Sequence, residues 1–423
     1  MSDSAAPKVL DFLEVSLLTY NGKAFDITDN VAEFNLYEDI DSFFIHGEMT
    51  VFDNSAILFD FPFIGQEAIT IRFKRVGDLT QIVERQFFVT GVNNISRVNE
   101  QAASFMLTLV SYYQILNSQK TFSRSYSGLN TDIISKIYKD AFDRDLDEVS
   151  EGGTSHNVVI PYSKPYAAIK TLLQSTYATD RTPLYLFETL YDNQVVLKSW
   201  GDMMGADVDE ELGDMGNVTP FSLANKGADG KATREATQWQ TRFEFIKVKK
   251  AYDSFNDIAQ GNLNHQINTV DISRKNYSES VFDYTKNAMP LMNDYVQQDM
   301  RDGITKYSRM RLQKTNDMAY QNLPVLNSAT PQSLSAFGSY SRRRETTVLQ
   351  AIGPGMERLR CGRCVWVDMP LYMPMHSQGD EELDLYTSGK YLVSAICHTY
   401  TKQKYEVTVE LVRDGYNKNA EIK

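Results

Sequence analysis

A three-strand pattern occurs twice in this chain, once near its start and once at its end, and it restricts the fold more than any other feature. In the first copy Gly65-Gln-Glu-Ala-Ile-Thr-Ile-Arg-Phe73 is followed by Phe87-Phe-Val-Thr-Gly-Val92 and Phe105-Met-Leu-Thr-Leu-Val110. In the second, Gly362-Arg-Cys-Val-Trp-Val-Asp368 is followed by Tyr391-Leu-Val-Ser-Ala-Ile396 and Val407-Thr-Val-Glu-Leu-Val412. Short β-branched and aromatic runs separated by polar turns predict a sandwich or barrel. A repeat of this kind predicts two similar β-domains in one chain.

The chain has 423 residues, beyond the roughly 250–300 at which a single core stops growing, so several domains are expected. With 42% hydrophobic and 23% charged residues it reads as globular. No apolar run reaches the ~20 residues of a helical membrane span, and the first residues lack a signal-peptide pattern. Assembly in a cytoplasm is therefore expected. Three cysteines argue against a disulfide framework. The net charge of −12 argues against a phosphate clamp. It suits a wall that DNA passes without sticking.

Residues 1–116 read as the first β-domain, with alternating runs at 34–39 and 45–52. Residues 117–200 read as a small α+β domain. There Asn130 is an N-cap candidate, and Ile133, Ile134, Ile137, Tyr138, Ala141 and Phe142 share a helical face. A second helix starts near Pro165 with the stripe Ile169, Leu172, Leu173 and Tyr177. Strands at 184–190 and 195–199 flank a hairpin turn, Tyr191-Asp-Asn-Gln194. Residues 201–236, rich in Gly, Asp and Ala, read as a linker. Residues 237–284 and 346–413 together read as the second β-domain. Residues 285–345 read as a helical and loop insertion, because Val296, Met300, Ile304 and Tyr307 have helical spacing, and 414–423 as a polar tail. The expected fold class is β-rich α+β, multidomain, with two barrel or sandwich domains.

These phrases resemble the central hub proteins of contractile-tailed bacteriophage baseplates. The first tail-tube-like domain is matched by Glu48-Met-Thr-Val-Phe-Asp-Asn-Ser-Ala-Ile-Leu58 and 63–73, and its exit by Ser111-Tyr-Tyr-Gln-Ile-Leu-Asn-Ser118. The middle domain is matched by Tyr185-Leu-Phe-Glu188 and Ser199-Trp-Gly201, and the second tube-like domain by Ser388-Gly-Lys-Tyr-Leu-Val-Ser-Ala-Ile-Cys-His398 and 407–414. The resemblance implies a structural virion protein in the tail baseplate. It implies a homotrimer that joins a hexameric tail tube to a trimeric central spike, beside baseplate wedge proteins, with DNA at most passing through the lumen. A related hub from a phage-like injection or secretion machine is the nearest structural rival.

Chemical sites weigh less. Cys361-Gly-Arg-Cys364 with Cys397-His398 has the residue types of a zinc site, but strand alternation already accounts for Cys397, and buried or turn cysteines are favoured. Asp207-Val-Asp-Glu-Glu-Leu-Gly-Asp214 departs from the calcium-loop pattern, with Gly213 one place late and Val218 at the closing position. Residues 380–384 read as an acidic exposed loop. The basic run 301–314, with Arg309, Arg311 and Lys314, reads as a solvated face, and Tyr340-Ser-Arg-Arg-Arg344 as a protein contact. His46 reads as structural. No nucleophile elbow, zinc-protease helix or phosphate loop occurs. No catalytic, cofactor or metal residue is assigned and no cofactor is expected. A tail-associated cell-wall hydrolase using paired carboxylates and a glycan-binding tail module are the rivals of other classes.

Overall fold

A computed structural model describes residues 10–415, apart from short internal stretches and the longer segments 206–220, 224–241, 284–309, 316–338 and 370–383. The first block holds β1 (Leu10–Leu18), β2 (Ala24–Asp26), β3 (Val31–Asp39), β4 (His46–Asp53), β5 (Ala68–Arg75), β6 (Val83–Asn99) and β7 (Ala102–Ser111). The middle unit holds α1 (Tyr112–Gln119), β8 (Phe122–Leu129), α2 (Asn130–Phe142), β9 (Glu148–Val149), β10 (Ser155–Ser163) and α3 (Pro165–Ser175). It ends with β11 (Leu184–Glu188), β12 (Val195–Ser199) and α4 (Trp200–Gly205). Next come β13 (Phe221–Leu223), β14 (Arg242–Phe243), β15 (Phe245–Lys250), α5 (Ser254–Ala259), β16 (Asn264–Asp271), β17 (Asn276–Asp283) and β18 (Met310–Thr315). The chain closes with β19 (Thr347–Pro354), β20 (Cys364–Asp368), β21 (Gly389–Thr401) and β22 (Lys404–Arg413). The fold is β-rich with large antiparallel sheets, as the alternation predicts.

The repeat extends from sequence into pairing. In the first block five strands pair in the order β3–β4–β7–β6–β5, every pair antiparallel. In the second the order is β15–β19–β22–β21–β20, again all antiparallel. With these five strands numbered along the chain, each block sets them across the sheet in the order first, second, fifth, fourth, third. The likeness reaches single residues. β6 skips Thr90 against β7, and β21 skips Ser394 against β22. Just before each bulge the amide reaches back to the loop ahead of the third strand, Val89 N–H to the Glu67 carbonyl at 3.0 Å and Val393 N–H to the Arg363 carbonyl at 2.9 Å. Gly65 and Gly362, at φ of 84° and 77°, enter these loops in the region that favours glycine.

Three cores follow from the residue pattern. Phe34, Leu36, Ile69, Ile71, Phe73, Phe87, Val89, Phe105, Leu107 and Leu109 fill the first block from alternate strand positions. Leu349, Ala351, Cys364, Val365, Val367, Leu392, Val393, Val407 and Val409 do the same in the second. In the middle unit the predicted stripe of α2 is buried throughout, as are Ile169, Leu172 and Leu173 of α3; Tyr177 lies outside the described residues. β11 reads as an unbroken apolar run because both its faces are covered. Leu184 and Leu186 face the middle core, while Tyr185 and Phe187 face the second block.

Several expectations change. Asn130 is not an N-cap: it is the first residue of α2, and its side chain donates to Thr176 Oγ1. The expected linker at 201–236 opens with α4 and contains β13, which pairs with β14 and β20. The segment at 264–283 does not join the second block. β16 and β17 form a separate three-stranded sheet with β18. The 285–345 segment, expected to be helix and loop, therefore supplies a strand at Met310–Thr315. Its apolar residues Met310 and Leu312 stand two apart, the period of a strand; the helical spacing lies upstream, at 296–307, outside the described residues. The interruption of the second block falls between β15 and β19, where the first block has only the turn 40–45.

Candidate functional site: the seam between the two blocks

The two blocks join edge to edge. β21 is long enough for two partners on one side. Its proximal half, 389–392, pairs with β20, and its distal half, Ala395 to Thr401, pairs antiparallel with Asp39 to Glu33 of β3. The result is a single sheet of fourteen strands among the described residues. Phe34 is fully buried there, stacked on Tyr400 at 5.0 Å and lying 6.0 Å from Phe73. Tyr405 of β22 belongs to the first block's core, edge-to-face with Phe73 at 5.7 Å. Gly355 lies so close to the Tyr405 ring that a Cβ would fall 1.8 Å from it. Thr399 Oγ1 donates to Asn35 Oδ1 at 2.8 Å, and Ile40 N–H donates to the Ser394 carbonyl at 3.0 Å. Paired backbone over this length removes two exposed edges that would otherwise recruit other strands.

A buried polar node locks the seam to the middle unit. Glu38 occupies the inward phase of β3 after Phe34 and Leu36 and accepts N–H bonds from Leu190 at 2.6 Å and Cys361 at 3.2 Å. One carboxylate thus ties the first block, the β11–β12 hairpin and the entry to β20. Glu188, the last residue of β11, accepts from Ile45 N–H at 3.1 Å and from the Ser111 hydroxyl at 3.3 Å. The buried Arg85 donates to the Thr189 carbonyl at 3.1 Å and sets its charge against both carboxylates. Burial pushes Glu38 up to about 7, against the opposing pull of its two N–H donors and Arg85. Burial also raises Glu188 and lowers Arg85. Around this node Arg360 pairs with Asp192 and lies 5.2 Å from the Tyr191 ring. Arg344 pairs with Asp41 and sits 5.0 Å from the Tyr185 ring.

The sequence candidates for chemistry fall into this framework. Cys361 and Cys364 are buried, their thiols directed at the Ser394 and Met203 carbonyls at 3.5 and 3.2 Å. Cys397 contacts Thr399 Oγ1 at 3.5 Å, and His398 points into the seam, its Nδ1 2.9 Å from the Tyr405 hydroxyl. Among the described residues no three His, Cys, Asp or Glu side chains gather as metal ligands. Within Tyr340–Arg344, Tyr340 and Arg344 are buried and Arg344 contacts its own chain. His46 is exposed and stacks on Tyr37 at 5.1 Å. Asp384 accepts from the amides of Tyr386 and Thr387 in the turn before β21. The acidic run 207–214 lies outside the described residues, as do 301–309 and the side chains of Arg311 and Lys314. A crevice lined by Glu148, Lys198, Arg360 and Arg363 has room for about one water. No described helix is long and apolar enough to cross a membrane.

Sequence reasoning missed the polar node, although two signals were present. Glu38 breaks the apolar phase of β3, and Glu188 ends a run in which every other residue is apolar. A charge in an otherwise buried phase marks a paired or hydrogen-bonded group.

His398 carries a pH consequence. Burial lowers it from 6.5 to about 3, so it stays neutral in the folded chain. The unfolded chain binds its proton first. The stability tied to neutral His398 is therefore complete above pH 6.5 and drains away as the pH falls towards 3. At pH 5 the loss amounts to about 2 kcal/mol at ~1.4 kcal/mol per pH unit. His398→Gln, which keeps an acceptor for Tyr405, is expected to lack this loss. The check is the difference in urea midpoint between variant and wild type at pH 7.5 and pH 5; a difference that does not move with pH contradicts it.

This architecture, two like β-blocks sharing a sheet around an α+β unit, is a fold shared with two solved tail-protein structures. The structure of a tail protein from Neisseria meningitidis MC58 superposes with a TM-score of 0.56 at 11% identity, covering 96% of this chain and 97% of that one. The 43 kDa tail protein of prophage MuSo2 from Shewanella oneidensis superposes with a TM-score of 0.52 at 10% identity, covering 95% and 98%. No protein-family model and no curated protein matches the chain by sequence. The resemblance read from the sequence is thus matched in the fold.

Proposed function

We propose that this chain is a structural protein of a contractile-tail baseplate: a trimeric hub that joins a six-fold tail tube to a three-fold central spike. The observation that carries this reading is the repeated pairing order, β3–β4–β7–β6–β5 and β15–β19–β22–β21–β20, in blocks that share one sheet. A closed ring offers one copy of each surface per subunit. A three-fold ring matches a six-fold one only when each subunit offers two similar surfaces, and two like blocks in each of three chains supply six. The shared sheet makes the two surfaces a stiff pair.

On this reading the partners are the tail tube protein, the central spike protein and the wedge proteins, and the location is the virion's tail baseplate. The role is structural rather than enzymatic, with side chains spent on packing and on the buried node. The net charge of −12 favours a lumen that DNA slides past. The test is the solution mass with electron microscopy of the purified chain. Three copies in a ring with six similar lobes are expected; a monomer at micromolar concentration contradicts the reading.

A further inference from the structure

The turn that joins β11 to β12 is gripped by the first block at three successive residues. The Ile45 N–H and the Ser111 hydroxyl donate to the Glu188 carboxylate at 3.1 and 3.3 Å. Arg85 donates to the Thr189 carbonyl at 3.1 Å, and Glu38 accepts the Leu190 N–H at 2.6 Å. The Leu190 side chain is buried in the first block's core, with Tyr191 packed against it. The second oxygen of Glu38 takes the Cys361 N–H at 3.2 Å, so the same group also holds the entry to β20.

The charges at this junction do not balance. Two neighbouring cations are already matched: Arg144, in the loop after α2, pairs with Asp147 at 2.7 Å, and Arg360, ahead of β20, pairs with Asp192. Arg85 of β6 is left to face both Glu38 of β3 and Glu188 of β11. The Cys361 thiol and the hydroxyls of Tyr113 and Tyr138, from α1 and α2, face the same charges and add no cation. One guanidinium against two buried carboxylates leaves one negative charge without a counter-charge. Keeping such a charge out of water costs more than binding a proton to it. Burial accordingly raises both carboxylates, Glu38 up to about 7. With the turn lifted off, water reaches both groups and each returns towards its ordinary 4.5.

We infer that the β11–β12 turn is a proton-linked latch: it seats on the first block with one proton shared by Glu38 and Glu188, and it lifts more readily once that proton is lost. The opening is local, a release of the turn with the rest of the fold intact. Its sign follows from the closed state holding the proton longer than the open one. Between pH 4.5 and 7 opening releases one proton, so its equilibrium constant rises about tenfold per pH unit and levels off above 7. The two carboxylates titrate as a pair, so the proton belongs to the junction rather than to one of them. The latch is internal to one chain and stands apart from the proposed function.

The test is hydrogen exchange by mass spectrometry on the full chain at pH 5, 6, 7 and 8.5, corrected for the intrinsic pH dependence of amide exchange. The opening constant of the peptide over 186–195 is expected to rise about tenfold per pH unit from pH 5 towards 7 and to change little from there to 8.5, while α2 stays unmoved. Glu38→Gln and Glu188→Gln are each expected to remove the rise, because one carboxylate facing Arg85 needs no proton. A flat wild-type profile overturns the latch. A rise that survives either variant assigns the proton to one carboxylate through burial alone and overturns it as well. Should one variant fail to fold, the wild type and the other variant decide by the same criteria.

Discussion

Phe34→Ala is expected to lower the stability of the chain by about 3–5 kcal/mol, the range for deleting a fully buried phenylalanine. Phe34 is the central side chain of the seam, with no exposed surface, and it meets Tyr400 from the second block and Phe73 from the first. The surrounding strands are paired on both sides, so the cavity cannot collapse by moving one of them. The loss therefore includes the contacts of the lining as well as the transfer term. Phe245→Ala is the control on β15, where half the side chain already meets solvent; on the isolated chain it is expected to cost under ~1 kcal/mol. Urea midpoints at constant slope measure both. Equal costs for the two variants would contradict the role given to the seam.

The second large effect is at Arg85. This guanidinium is buried between the charges of Glu38 and Glu188, and each carboxylate also holds backbone N–H donors from another part of the chain. Arg85→Met leaves two buried carboxylates without the guanidinium between them, a loss of about 3–5 kcal/mol for breaking one side of such a group. The pH dependence has a definite sign. Glu38 stands near 7 in the fold against 4.5 as its ordinary value, so the folded chain holds this proton longer than the unfolded one. Stability tied to Glu38 is full below pH 4.5 and declines as the pH rises through 7. Removing the cation raises both carboxylates further, so the deficit of Arg85→Met is expected to be greatest near pH 8 and to shrink towards pH 4.5. The triple variant Arg85→Met, Glu38→Gln, Glu188→Gln is expected to recover part of the loss at pH 8. A deficit independent of pH would place the cost in packing alone.

Much of the fold was legible in sequence because burial is written locally. The alternation at 34–39, 68–73 and 105–110 gives the strands and their inward faces, and the stripe from Ile133 to Phe142 gives α2 and the side it buries. The repeat was visible for the same reason: like positions in two like blocks need the same residue types. The site was less legible. Glu38 and Glu188 are ordinary residues until Leu190, Cys361 and Ile45, distant in sequence, are brought to them. Strand partners were hidden too: β16 read like a strand of the second block but pairs with β17 and β18 instead.

The sequence by itself indicated two similar β-blocks, an α+β middle unit and no recognisable catalytic motif, since periodicity and residue type depend only on neighbours along the chain. The tertiary structure alone decided which edges meet, β3 with β21 inside the chain. Any exposed edge can offer the same backbone donors and acceptors. The choice among edges rests on side chains and loop lengths far apart in sequence, which only the folded chain brings together.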